Sequence, residues 1–260
     1  MTSVFVLGHA ELGDNITCIG AINYLLTIYK NVYFVCQYNN LKNLKILYSN
    51  PRIFLVPFKI ENKLLAWYNL LYPRYKEKNM DILISGPQPK TYFKSKITNK
   101  ILKYRIKNNA HTIENKYIQL QHFYTDINLD LSIYYNYFNI NSSIISQDLF
   151  NKIKKYNIIF MHSTSSNKKI DLTTFINKHI NNDNDIIISA DINAYAKNNA
   201  KYDLAQRYVN LLVPHYIDII KNAQYIYIVN SCFSCIVIPL AYNKKIKAIE
   251  YKIFDRNASI

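Results

Sequence analysis

The alternation of short apolar strands with turn-rich loops and apolar-periodic helices most limits what this chain can fold into. Residues Ser3–Leu7 form a β-branched and aromatic run, which the loop Gly8–Asp14 separates from a long helical stretch that ends at Asn31. Residues 32–36 then read as a second strand. Because crossover helices join parallel strands, this order predicts a mostly parallel sheet.

The same rhythm continues along the rest of the chain. It predicts helices at 41–48, 64–72, 147–155, 173–180, 202–209, 216–222 and up to about 241, and strands at 53–57, 81–85, 158–162, 186–190 and 226–229. Residues 86–109 are predicted to be a surface loop or helix, and Tyr117–Phe138 to be helical in part. The polar segment Asn139–Ser143 marks a boundary near Ser142. The predicted fold class is therefore α/β, with two Rossmann-like domains, residues 1–142 and 143–260, facing a cleft.

Length and composition narrow the class of protein. A chain of 260 residues can form two domains with cores of their own. No apolar run reaches the ~18–20 residues of a membrane span, and Met1–Leu7 lacks the basic start of a secretory signal, so we expect a soluble, intracellular protein. Among four cysteines only Cys232 and Cys235 form a CxxC pair, which lacks the second half of a zinc site.

The net charge of +15 fits a polyanionic partner such as nucleic acid. The lysines, however, are spread from Lys30 to Lys252 instead of clustering, which favours an ordinary solvated surface. Nucleic-acid binding is therefore the least favoured of the functions considered.

The loop Gly8–Asp14 occupies the place where open parallel sheets bind ligands and where helix N-termini attract anions. Its glycines do not form a dinucleotide fingerprint. Asp14, at the predicted start of the helix, has two interpretations, a helix N-cap or a carboxylate available for proton transfer.

The opening of the chain, Gly13-Asp14-Asn15-Ile16 followed by Gly20-Ala21-Ile22 and Leu25, resembles that of GT-B glycosyltransferases related to bacterial heptosyltransferases. The resemblance implies that Asp14 is the catalytic base. The candidate acceptor-loop residues beside it are Gly8, His9, Gly13 and Asn15.

A second resemblance to this family lies in Tyr225–Leu240, which is similar to a late strand, an Asp-Ser/Thr turn and the helix that meets the donor phosphates. Asn230 stands where Asp is usual, and Cys235 stands where His is common. Together with His162–Ser166 and Tyr251–Arg256, the pattern also resembles glycosyltransferase-like proteins of large DNA viruses. That likeness adds a virus-encoded origin, with the host cytoplasm or the virion as the expected location.

The resemblance implies a nucleotide-sugar donor held by two serine-rich segments and their flanks. The candidate donor-binding residues are His162, Ser163, Ser165, Ser166, Lys168, Asn230, Ser231, Cys232, Phe233 and Ser234. Hydroxyl and backbone N–H groups could bind the diphosphate, and Lys168 or Lys169 could add positive charge. Ordinary turn formation is the alternative for both serine segments.

Several other residues have mainly structural interpretations. We expect structural or surface roles for His111, His122, His179 and His215. The aromatic stripe Tyr134–Phe138 could stack on a sugar, although core packing is favoured. Asp183-Asn184-Asp185 resembles the metal-binding DxD of other glycosyltransferases, but it precedes a strand and is predicted to be a turn.

These observations predict a glycosyltransferase that moves a sugar from a nucleotide-sugar donor to a hydroxyl of a glycan or another acceptor. We expect no metal and no cofactor beyond the donor itself, and inversion of configuration is implied by the resemblance alone. A non-catalytic nucleotide-sugar or glycan-binding protein is the alternative, which Asn230 favours.

Overall fold

A computed structural model describes residues 2–8, 11–59, 80–86, 119–165 and 168–255 of the chain. The chain divides into two compact units, Met1–Asn139 (unit 1) and Ile140–Ile260 (unit 2). Each unit is built on a four-stranded sheet whose strands are all parallel. The predicted α/β class is confirmed.

Unit 1 has its strands in the order β3-β2-β1-β4. The strands are β1 (Ser3–Leu7), β2 (Val32–Gln37), β3 (Ile53–Phe58) and β4 (Met80–Ile84). The described helices are α1 (Leu12–Thr17), α2 (Ile19–Ile28), α3 (Leu41–Leu47), α4 (Gln119–Thr125) and α5 (Ser132–Asn136). Central β1 is apolar along almost its whole length because a strand in a parallel sheet is covered on both faces.

The core of unit 1 follows from the alternation of side chains across this sheet. Phe5 and Leu7 of β1 share a buried cluster with Val35 of β2 and with Met80, Ile82 and Ile84 of β4. Strands β1 and β4 are in register, Phe5 opposite Ile82 and Leu7 opposite Ile84. One face of three adjacent strands is therefore a continuous apolar layer.

The long helical stretch after the first loop is two helices, because the chain leaves helical geometry at Cys18, where ψ is −4°. Next to this break, α2 packs closely on α5. A Cβ atom on Gly20 would lie 2.6 Å from the carbonyl oxygen of Ile133. Gly20 thus permits a backbone-to-backbone contact that no larger residue would allow.

Unit 2 has its main strands in the order β10-β9-β5-β8, beside a small antiparallel hairpin of β6 and β7. The strands are β5 (Asn157–His162), β6 (Thr164–Ser165), β7 (Lys168–Lys169), β8 (Asp185–Ser189), β9 (Tyr225–Val229) and β10 (Glu250–Phe254). The helices are α6 (Ile144–Ile153), α7 (Thr173–Ile180), α8 (Tyr202–Gln206), α9 (Ile217–Asn222) and α10 (Ser234–Tyr242). A 3-10 turn, Val213–Tyr216, leads into α9.

Most predicted elements of unit 2 are present, with ends shifted by a few residues. The sequence did not predict β10, whose exposed Tyr251 and Lys252 reflect its position at the edge of the sheet. The predicted helix 64–72 and nearly all of the predicted loop 86–109 lie outside the described residues. Within the described part of the chain, no helix combines the length and the apolar character needed to cross a membrane.

Candidate functional site

The topology of unit 1 places the loop after β1 at a switch point. From β1 the chain moves to β2 and β3 on one side, whereas β4 lies on the other side of β1. Ligands of open parallel sheets bind outside the carboxyl ends of the strands at such a point. The start of this loop is confined, since a Cβ on Gly8 would lie 3.2 Å from the Phe34 ring.

Asp14 lies in the first turn of α1, with a half-buried side chain. The N-cap position belongs to Glu11, because α1 begins at Leu12. The interpretation of Asp14 as the N-cap is therefore wrong. A carboxylate in the first helical turn is still favoured by the helix dipole, and the question of proton transfer is separate from capping.

Residues near Asp14 join α1 to β2. The Asn15 side chain is completely buried, and its Nδ2 donates to the carbonyl oxygen of Val35 at 3.4 Å. The Glu11 carboxylate accepts a hydrogen bond from Gln37 Nε2 at 3.1 Å. The loop is thus anchored on the carboxyl end of β2, while His9 lies outside the described residues.

Unit 2 has a switch point of its own, between β5 and β9. From β5 the chain goes to β8 on one side and returns to β9 on the other. The segments that follow β5 and β9 contain nearly all of the predicted donor-binding residues. The topology therefore brings the two serine-rich segments together.

A hydrogen bond between His162 and Ser231 joins these two segments. His162 Nδ1 lies 3.1 Å from Ser231 Oγ, and the His162 ring packs on Phe233 with ring centroids 4.7 Å apart. Burial lowers the pKa of His162, although the nearby Asp191 carboxylate opposes this shift. The imidazole is consequently neutral at pH 7, with one nitrogen that donates and one that accepts.

Asp191, just beyond β8, organises the segment after β5. Its Oδ2 accepts hydrogen bonds from Ser163 N at 2.9 Å and Ser163 Oγ at 2.8 Å, and its Oδ1 accepts one from Ser189 Oγ at 2.8 Å. Burial alone would raise the pKa of Asp191, but hydrogen bonds from Thr164, Ser163 and Ser189, together with His162, lower it. Asp191 therefore carries a stable negative charge next to Ser163.

In the serine turn after β9, residues 230–234, most hydrogen-bonding groups bond to one another. Ser234 Oγ donates to Asn230 Oδ1 at 2.9 Å and accepts from Ser231 N at 3.2 Å, while Phe233 N donates to Ser231 Oγ at 3.3 Å. Ser165 Oγ donates to the carbonyl oxygen of Asn230 at 2.9 Å. These contacts show the turn formation that the sequence left as an alternative. Phosphate contact by the same serines remains a prediction.

A pocket of about 430 Å³ lies beside this cluster, a size typical of small-ligand sites. The polar groups of its lining belong to Ser163, Lys169, Asp171, Thr173 and Asn193, and Met161, Ile170, Leu172 and Ile176 form much of its apolar wall. Lys169 is exposed. The side chains of Ser166 and Lys168 lie outside the described residues.

Most of the remaining polar groups singled out in the sequence have structural surroundings, and His111 lies outside the described residues. Asp185 begins β8, and its buried carboxylate accepts from Asn157 Nδ2 at 3.0 Å and lies 2.6 Å from His179 Nδ1. Asp183-Asn184-Asp185 is therefore at the amino end of the sheet, away from the switch point. His122 Nδ1 lies 3.2 Å from Asp126 Oδ1, and His215 is buried.

Cysteines and aromatic residues also serve packing. Burial raises the pKa of the Cys232 thiol to about 12, and Cys18, Cys36, Cys232 and Cys235, all within the described residues, form no disulfide. Tyr134 and Phe138 are 1 % exposed, which confirms the favoured core interpretation for these two rings. Within the described residues, no group of three or more His, Cys, Asp or Glu side chains could hold a metal ion.

The sequence did not reveal the contacts that Asp191, Ser189 and Glu11 make at the two switch points. A signal for Asp191 exists, since the polar residues Ser189 and Asp191 end the apolar run of β8. In a parallel sheet such residues lie at the same edge as those that follow β5 and β9. Glu11 has no comparable signal, because its role depends on contact with distant Gln37.

Comparisons with known proteins agree with this architecture. No protein-family model and no curated protein sequence matches the chain. The structure is similar to that of the ADP-heptose LPS heptosyltransferase II of E. coli, with a TM-score of 0.60 and 9 % identity over 98 % of this chain and 90 % of the other. It is also similar to a family 9 glycosyl transferase of Veillonella parvula, with a TM-score of 0.60 and 9 % identity over 100 % of this chain and 88 % of the other. The fold of the chain is thus similar to the folds of these two transferases.

Proposed function

We propose that the chain is a glycosyltransferase that moves a sugar from a nucleotide-sugar donor to an acceptor hydroxyl, with unit 2 as the donor domain and unit 1 as the acceptor-side domain. The observation that carries the proposal is the assembly at the unit 2 switch point, where His162, Ser231 and Asp191 lie next to a pocket with an exposed lysine. The structural similarity to the ADP-heptose LPS heptosyltransferase II of E. coli supports a sugar nucleotide as the ligand.

The mixed lining of the unit 2 pocket fits the two parts of such a donor. The apolar wall of Met161, Leu172 and Ile176 suits a flat nucleobase or sugar face, and Asn193 and Thr173 offer groups for hydrogen bonds. A ligand in this pocket would lie beside Ser163, whose backbone and hydroxyl are fixed by Asp191. Because Asp191 already fixes Ser163, this part of the pocket needs no rearrangement when a ligand binds, which reduces the entropic cost of association.

In the proposal, Lys169 and the positive end of α10 neutralise the negative charge of the departing diphosphate. Because the serine turn uses its own N–H and hydroxyl groups, it has few of them left for a ligand. The helix dipole supplies roughly half a unit of positive charge at that end, and the Lys169 ammonium adds positive charge that the neighbouring Asp171 carboxylate offsets in part. The proposal therefore requires no metal ion.

In the proposed reaction the acceptor oxygen forms a bond to the anomeric carbon while the bond from that carbon to the phosphate oxygen breaks. The acceptor proton passes to the Asp14 carboxylate, and the electron pair of the broken bond leaves with the nucleoside diphosphate. Attack on the face opposite the leaving group would invert the anomeric configuration. Asp14 suits the base because it is a half-buried carboxylate in the first turn of α1, directly after the loop at the unit 1 switch point.

Donor binding is tested first, by thermal shift against a panel of nucleotides and nucleotide sugars. A ligand at about 100 times its dissociation constant should stabilise the protein by about 2.7 kcal/mol. Lys169→Ala should weaken the binding of the diphosphate-containing ligand by about tenfold or more, whereas Lys42→Ala, an exposed lysine of α3, should not. Equal weakening by both variants would remove Lys169 from the donor site.

Asp14→Asn then tests the base. Asparagine keeps the shape of the side chain but cannot accept the proton, so transfer should slow by about 10²–10⁴ while donor affinity stays unchanged. Wild-type turnover in this variant would exclude Asp14 from the chemistry.

A non-catalytic nucleotide-sugar-binding protein is the second candidate function. It is favoured by Asn230, an exposed amide at the position where the resemblance leads one to expect a carboxylate. In that case the donor should bind with the same dependence on Lys169, but no nucleoside diphosphate should be released in the presence of any acceptor.

A further inference from the structure

A lysine-rich segment, residues 242–249, connects α10 to β10 and lies at the edge of the unit 2 sheet where the strands begin. This is the edge opposite to His162 and Ser231. We call this segment the basic turn. Its exposed side chains are those of Tyr242, Lys244, Lys245, Lys247 and Ile249. Tyr242 is 64 % exposed and Ile249 is 77 % exposed.

The basic turn is held in a defined shape by backbone hydrogen bonds. Lys245 N donates to Leu240 O at 2.8 Å, Lys247 N to Lys221 O at 2.9 Å, and Ile249 N to Gln224 O at 2.9 Å. Lys244 has a φ of 53°, a conformation that glycine adopts with less strain. Lys244 is thus a lysine in a strained backbone conformation. The hydrogen bonds fix the backbone of the basic turn, so its exposed side chains extend from defined positions.

Positive charges are crowded at this edge. Burial lowers the pKa of Lys221, Asp218 opposes this shift, and the ammonium of Lys245 lowers the pKa further, which shows that the two lysines are close. The sequence contains no acidic residue from Ile219 to Ile249. The next one, Glu250, lies 3.2 Å from Lys252 and 4.0 Å from Lys178, so its charge is already shared. Repulsion within this cluster would be relieved by an anionic partner.

We propose that the basic turn docks unit 2 on an anionic lipid bilayer. Lysines near a surface that carries phosphate headgroups are attracted to it, and their apolar stems can lie along the interface. Tyr242 and Ile249 supply the other half of an interfacial anchor, an aromatic ring for the headgroup level and an aliphatic side chain for the acyl boundary. Nucleic acid would match the charge and could stack on Tyr242, but Ile249 offers it neither a stacking face nor a hydrogen bond, whereas a bilayer accommodates both side chains.

Docking through this edge leaves the ligand site of unit 2 accessible, because the pocket lies at the carboxyl edge of the same sheet. The proposal does not depend on the transfer reaction. A soluble protein attached in this way could act on acceptors held at a membrane surface, or simply be concentrated there.

Co-sedimentation of the full chain with lipid vesicles tests the proposal. We expect binding to vesicles of phosphatidylcholine that contain phosphatidylglycerol, weaker binding to phosphatidylcholine alone, and a steep decrease as salt is raised, since the screening length falls from about 8 Å at 0.15 M to about 3 Å at 1 M. No sedimentation with the phosphatidylglycerol vesicles would overturn it.

Two sets of variants separate this surface from the overall charge of the chain. Replacing Lys244, Lys245 and Lys247 by glutamine should lower the vesicle partition coefficient by about 10²-fold, from about fivefold per lysine. Replacing the exposed Lys30, Lys42 and Lys45 of unit 1 by glutamine makes the same change in net charge and should leave the coefficient within about threefold of wild type. An equal loss in both triple variants would refute the assignment.

The apolar part of the anchor is tested by Tyr242→Ser with Ile249→Ser, which should abolish the binding that persists at high salt. Thermal unfolding of each variant confirms that the fold is intact. A single-stranded oligonucleotide is tested in parallel. If it binds through the three lysines while the vesicles do not bind, the surface is a nucleic-acid site and the proposal is wrong.

Discussion

Replacing Asp191 by asparagine tests whether this carboxylate holds Ser163, in the segment that follows β5, in place. In the wild type it accepts two hydrogen bonds from Ser163 and one from Ser189. The amide can keep its oxygen toward Ser163, and the Ser189 hydroxyl can turn to accept from the new NH2 group. The variant therefore loses charge assistance more than it loses contacts.

The size of the effect follows from that difference. A hydrogen bond to a charged group contributes about 1 kcal/mol more than a neutral one, and three such bonds give an upper value of about 3 kcal/mol. Because Asp191 is only partly buried, we take about 2 kcal/mol, since solvent screens the charge. For a chain of this size, that loss should lower the melting temperature by about 4–8 °C.

The pH dependence provides a second readout. The folded-state pKa of Asp191 is lowered, so its contribution to stability is complete above the unfolded value of about 3.9 and is lost as the pH falls through the folded pKa. The difference in melting temperature between wild type and Asp191→Asn should thus be full at pH 7 and shrink below about pH 4. A calorimetric series from neutral to acidic pH measures it.

A matched control is Asp148→Asn, at an exposed position in α6, which should change stability by less than about 0.5 kcal/mol at any pH. The reasoning is refuted if Asp191→Asn melts with the wild type at pH 7. It is equally refuted if the difference between them does not depend on pH.

Three further predictions follow from individual contacts. Gly20→Ala should destabilise the protein by about 1–3 kcal/mol in urea unfolding, because the alanine Cβ would lie 2.6 Å from Ile133 O. This loss is expected although alanine is the better helix former. Gly8→Ala should destabilise the protein less, since its Cβ would lie 3.2 Å from the nearest atom, which belongs to the Phe34 ring. His162→Asn should flatten the pH dependence of stability, since the lowered pKa of His162 means that stability is full above the unfolded value of about 6.5 and falls as the pH decreases toward the folded value. Donor binding and any transfer should survive a strong chelator, and activity restored by Mg²⁺ or Mn²⁺ after chelation would contradict the metal-independent proposal.

Local sequence determined the elements of this fold. Runs such as Ile186, Ile187 and Ile188 are wholly apolar because strands of a parallel sheet are covered on both faces, and the intervening stretches have a helical period. The strand-helix alternation was therefore sufficient to predict parallel sheets. It did not predict β10, since an edge strand with exposed Tyr251 and Lys252 lacks the apolar signal.

The candidate site could be predicted only in part, for a related reason. The segments after β5 and β9 were identified from the resemblance to GT-B glycosyltransferases, and residues at the ends of parallel strands share an edge of the sheet. The partners within that edge were not identified, since the contact of Ser163 with Asp191 spans 28 positions and that of His162 with Ser231 spans 69. No local pattern encodes such pairs.

The sequence by itself therefore determined which residues reach the carboxyl edge of each sheet, because strand ends and turn residues are set by neighbours in the chain. The tertiary structure decided what those residues do there. It gave the N-cap position of α1 to Glu11 instead of Asp14, closed the serine turn on itself, and placed an unpredicted carboxylate under Ser163. Hydrogen-bond partners depend on distances that strand order and packing fix only once the whole sheet is assembled.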